Sequence, residues 1–177
     1  MEKVVDIKAY RAKAFKERAF GPWQKRFDES YAIDIKLSEL SDQTLFFLAQ
    51  PGENSTAAYY ELIMGILDLG QAAKFSGLRN REQMRVVDIH LFLADQVRFE
   101  IMRRLKWLTH LRCKTQSLVQ MVQDFDIVKP VCKATPPELA ASHPDYEAYR
   151  QLTRGDKEVF IRRMLQDALE VFKDRLG

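Results

Sequence analysis

Two adjoining stretches, STAAYYELIMGILDLGQAAKFS (residues 55–76) and REQMRVVDIHLFLADQVRFEIMRRLKWL (residues 81–108), decide the fold class. The first is apolar around almost its whole circumference when wound as a helix, with Gly65 and Gly70 thinning it where a neighbour can approach closely. In the second, Val86, Val87, His90, Leu91, Ala94, Val97, Ile101, Met102, Leu105 and Leu108 form an apolar arc that Phe92, Leu93 and Phe99 widen. A helix apolar over so much of its girth is surrounded by other helices. About four residues join the two stretches, and so short a connection predicts an antiparallel pair. The expected fold is all-α, a single-domain bundle of five to seven helices around this long central antiparallel hairpin.

Outward from the hairpin, the remaining segments read as helices that could wrap it. Residues 7–20 suit a basic amphipathic helix with Asp6 as N-cap and Ile7, Tyr10 and Ala14 along one side. Gly21-Pro22 should stop it, because Pro22 has no amide donor and disfavours helix at Gly21. Trp23, Phe27 and Tyr31 then fall at four-residue spacing on a second short helix. Residues 1–27 as a whole are expected to be a basic arm, packed on the bundle or flexibly attached to it.

Ser41 is placed as an N-cap, with Leu40 and Leu45 as a hydrophobic staple. Asn80 and Gln83 have the spacing of a capping box. Residues 115–128 should form a helix ended by Lys129-Pro130, and Thr135-Pro136-Pro137-Glu138 a single turn. Ser142-His143-Pro144-Asp145 repeats that pattern, and the last helix should run from about Asp156 to Arg175. No alternating apolar run exceeds four residues, so strands are not expected.

Composition agrees. The 177 residues include 46% apolar and 30% charged side chains, with only seven Gly and six Pro. That is too ordered a mixture for a low-complexity chain and too poor in turn residues for an all-β fold. Cys113 and Cys132 have neither a second pair nor zinc-ligand spacing, and are expected to be ordinary thiols. The segment MEKVVDIKAYRAK lacks the apolar core of a signal peptide, and the window 57–73 is interrupted by Glu61, Asp68 and Gln71. A cytoplasmic protein without a membrane span is the expectation.

The net charge of +3 is unevenly spread: +5 over residues 1–27, −6 over 28–75, +5 over 76–114 and −1 over 115–177. A dedicated nucleic-acid binder concentrates its cations on one face. Alternating blocks fit charges that meet inside one fold or across a dimer.

Several constellations are candidates for chemistry. Glu61 and Asp68 share a helix face, as do Asp88 and Asp95. Folding the hairpin about residues 78–79 would set the four carboxylates at two levels, an oxygen-rich arrangement suited to Mg²⁺ or Mn²⁺. The Glu-x-x-His signature of di-iron bundles and the ExxE-like spacing of helical pyrophosphohydrolases are both missing, so the stripe is expected to be a wet, ion-paired face rather than a metal site. His90 lies inside the apolar arc with no second histidine near it, and is expected to be a core-edge residue rather than a ligand or base. Arg103, Arg104, Lys106, Arg112 and Lys114 surround Trp107 in the run 103–114. These cations, with those of 8–26, are possible contacts for nucleic-acid phosphates. No nucleophile motif and no Gly-rich phosphate loop is found, and no cofactor is expected.

The functional expectation is accordingly a cytoplasmic protein-interaction module without evident catalytic chemistry, self-associating as a homodimer through apolar surface left on the hairpin. The alternatives are a nucleic-acid-associated or regulatory protein using the two basic runs, and a divalent-metal enzyme at the four carboxylates.

Overall fold

A computed structural model describes residues 6–109 and 116–177. The chain is all-α: it is 73% helical and has no strand among the described residues. There the chain forms nine α-helices and two 3₁₀ turns, more pieces than the expected five to seven helices, because several predicted helices break in two.

Helix α1 (Ile7–Phe27) instead joins two expected helices, running straight through Gly21-Pro22. An interior proline costs a helix about 3 kcal/mol. The next turn offsets that cost, because Trp23 is only 1% exposed and burying an indole is worth about as much. Its Nε1 donates to the Ala58 carbonyl at 2.7 Å. The first turns of α1 are exposed, and its second half is anchored by Ala19, Phe20 and Trp23.

After a 3₁₀ turn at Leu37–Glu39, Ser41 caps α2 (Asp42–Ala49) by accepting from the Thr44 amide. Leu40 and Leu45, placed as the staple, are both buried. Helix α3 (Glu53–Leu67) is the deepest element, with Leu62, Ile63 and Met64 fully buried. It ends at Leu67, nine residues before Ser76, with Asp68 as its cap in the left-handed conformation, where the Leu69 amide donates back to Met64. Residues 68–79, including a 3₁₀ turn at Ala72–Gly77, link it to α4 (Asn80–Arg104), so the connection is longer than the sequence suggested. Gln83 does not close a capping box. Its side-chain amide donates instead to the Phe75 and Ser76 carbonyls, tying this link to the start of α4.

Residues 36 and 117 form an isolated bridge before α5 (Leu118–Gln123), whose true cap is a Ser117–Gln120 capping box. The chain breaks at Asp124 rather than at Pro130, which lies within α6 (Phe125–Ala134). Residues 135–138 are not helical. Glu138 and Ala140 make backbone hydrogen bonds with Thr109 and Trp107, and these hold the segment extended. Helix α7 (Tyr146–Arg150) precedes α8 (Arg154–Arg163), capped by Thr153, and a break at Met164 separates α8 from α9 (Leu165–Leu176).

Among the described residues, the α1–α3 contact is the most extensive. Arg18 meets Gly65 and Trp23 meets Ala58, so residue numbers fall on one helix as they rise on the other and the pair is antiparallel. One apolar cluster spans α1 to α6 and includes Phe172 of α9. A second, smaller cluster gathers Met102, Leu108, Leu139, Tyr149, Ile161 and Ala168 around the end of α4. No helix among the described residues is long and apolar enough to cross a membrane.

Candidate functional site

The four carboxylates do not converge. Glu61, Gly65 and Asp68 lie on one face of α3, and that face is turned to α1. Glu61 accepts two hydrogen bonds from the Arg26 guanidinium, and Asp68 lies 3.6 Å from Arg18 Nε. Asp95 points toward α8, where both its oxygens accept from Arg162 at 3.0 and 3.1 Å, with Arg98 at 3.9 Å. Asp88 is exposed and makes no ion pair among the described residues. There, no group of three or more His, Cys, Asp or Glu side chains is placed to hold a metal ion.

The basic run is also divided. Arg103 and Arg104 both turn inward onto Glu100. Arg104 further donates to Asp42 at 2.7 Å and to the carbonyls of Leu37, Ser38 and Leu40, clamping the turn before α2 to the end of α4. Lys106 is exposed in the left-handed conformation that closes α4, while Trp107 packs edge-on against His143. Arg112, with His110, Cys113 and Lys114, lies outside the described residues. The charge blocks of the sequence thus meet within one chain: Arg18 and Arg26 reach the acidic block 28–75 from one side, and Arg104 from the other.

His90 is half-buried, its ring 4.8 Å from that of Tyr59 and 5.5 Å from that of Tyr60. Burial pushes its pKa below the ordinary value, and the positive charge of Arg98 adds to the shift. In the unfolded chain a histidine titrates near ~6.5. The folded state holds the proton less well, so this contribution to stability is complete above that pH and is lost as pH falls toward the folded value. Denaturant unfolding of wild type should therefore lose more stability between about pH 7 and about pH 5 than that of His90→Phe. Equal losses would contradict this assignment.

A cleft of about 850 Å³ lies between α4, α6 and α8. Its α4 wall presents Asp88, Leu91, Phe92, Asp95 and Phe99 at helical spacing. Ile161 and Tyr149 face them from the smaller apolar cluster, and Cys132 from the larger, so the cleft opens along the seam between the two. That volume lies in the range of binding pockets, about 300–1,000 Å³.

The opposite wall carries four cations beside two acids, Glu138 and Glu158, the latter 3.5 Å from Arg162. Lys129 and Lys133 are one turn apart on α6, and Arg154 and Lys157 one turn apart on α8. Arg154 donates to the Lys133 carbonyl at 3.3 Å, which joins the two pairs. Lys129 sits over the Phe125 ring and Lys157 over the Tyr149 ring. Among the described residues none of the four is ion-paired, whereas Arg162 in the same cleft is held by Asp95 and Glu158.

The sequence hid this wall. Each half is visible as a pair of cations at helical spacing, but the halves are twenty residues apart and meet only through the fold of 134–153. No family model, no curated protein and no solved structure matches the chain.

Proposed function

We propose that this chain is a helical protein-interaction module whose working surface is the cleft between α4, α6 and α8. One observation carries the reading: an apolar floor and four cations without carboxylate partners among the described residues share one concavity. Elsewhere the cations near the core, Arg18, Arg26, Arg103 and Arg104, are paired. Unpaired charge beside apolar surface is what a partner with complementary charge recognises. A cytoplasmic setting belongs to the proposal, supported by the sparing use of cysteine.

Self-association is the lesser reading. The charge blocks that suggested a dimer register are spent inside one chain. What favours self-association is the exposure of Ile127 and Val131, 71% and 56%, one turn apart on α6.

The cleft can be tested with a photo-crosslinking amino acid at Leu91, which is exposed on its rim. Met84, also exposed on α4 but outside the cleft, serves as the control. A discrete protein adduct is expected from position 91 and not from 84. Equal labelling from both, or none from 91, would remove the cleft as the working surface.

A further inference from the structure

Resting on that reading, the geometry points to the occupant: an acidic amphipathic helical segment of a partner protein, its apolar side on Leu91 and Phe99 of α4 and its carboxylates on the α6–α8 wall. Three features argue for it. The four unpaired cations stand as two i, i+3 or i, i+4 pairs, the spacing at which a helix presents its own acids along one flank. The apolar residues lie on the other side of the same concavity, so one ligand must carry both characters side by side, as an amphipathic helix does. The volume of about 850 Å³ is that of roughly two helical turns with their side chains. The α4 wall sets the polarity. Asp95 is neutralised by Arg162, but Asp88 is not, so the flank of the segment next to α4 should be neutral or carry a base. Such a segment can lie in the cleft one way round only, because reversing its flanks would bring acids against Asp88 and a base against Lys133.

The test is selection of random displayed peptides on the full chain, followed by fluorescence anisotropy of the enriched peptides. The enriched sequences should combine Asp or Glu on one flank with Leu, Ile or Phe at helical spacing, and their affinity should fall with added salt. Lys133→Glu with Arg154→Glu should weaken binding by roughly tenfold or more. Melting temperature reports whether that variant folds, and Lys129→Gln provides a second, milder neutralisation of the same wall. Enrichment of basic or uncharged peptides, or affinity unchanged in both variants, would overturn the inference. So would displacement of the peptide by octanoate or inorganic phosphate at matched concentration, because the site would then be one for a small anion. If Leu91 yields a protein adduct but selection enriches nothing, the acidic-helix occupant is refuted and the interaction reading stands. If Leu91 yields none, the interaction reading itself fails.

Discussion

Gly65→Ala is expected to lower stability by about 3 kcal/mol or more, a fall in Tm of roughly 6–12 °C. At the α1–α3 crossing an added Cβ would lie 2.3 Å from the Arg18 carbonyl oxygen and 3.3 Å from the Ala19 Cα. Both are backbone atoms, so no side chain can swing aside and the two helices must separate. Pro22 is part of the same device. It offers no amide to the Arg18 carbonyl four residues earlier, and that carbonyl faces Gly65. Arg18 Nε donates back to the Gly65 carbonyl at 2.7 Å, a contact that separation of the helices would lengthen. Gly155 is the control. It lies in the first turn of α8, with no proline beside it, and a Cβ added there would meet nothing within 4 Å beyond its chain neighbours, so Gly155→Ala should instead stabilise by about 0.4–1 kcal/mol. Denaturant unfolding of the two variants reads the sign directly, and a neutral Gly65→Ala would contradict the crossing.

Glu100→Gln should cost about 3–5 kcal/mol, the usual consequence of stranding buried charge. The Glu100 side chain is 8% exposed and its carboxylate accepts from Arg103 Nε at 3.1 Å and Arg104 Nε at 3.3 Å. Arg104 keeps Asp42, but Arg103, 4% exposed, has its Nη1 buried without a hydrogen-bond partner among the described residues and would lose its only ion pair there. Replacing both members with apolar residues, Glu100→Leu with Arg103→Met, should cost less than Glu100→Gln alone, because no charge is left unpaired. A loss below about 1 kcal/mol for Glu100→Gln would show that water reaches the pair.

These two sites mark what is and is not legible in the sequence. Local signals are legible: Ser41 as a cap, Leu40 with Leu45 as a staple, and the helical periods that make the fold all-α. Signals that depend on a distant partner are not. Pro22 reads as a stop until α3 lies against it. Glu138 reads as the third residue of a helical turn until Thr109 donates to its carbonyl. Glu61 and Asp68 share a face, as expected, but that face belongs to the contact with α1, where Gly65 lets the backbones touch. Asp95 faces α8 instead and Asp88 lines the same cleft, which exists only once α6 and α8 are brought together.

We infer that the charges of Lys133 and Arg154 on the α6–α8 wall serve recognition more than folding. Lys133 and Arg154 are both exposed and make no ion pair among the described residues, so reversing them should change stability by no more than about 1 kcal/mol. The decisive measurement is therefore the Leu91 crosslink repeated in Lys133→Glu, Arg154→Glu, with Tm recorded on the same sample. A nearly unchanged Tm with the partner adduct abolished is the predicted result. An adduct that persists at wild-type yield in the folded variant would contradict the account.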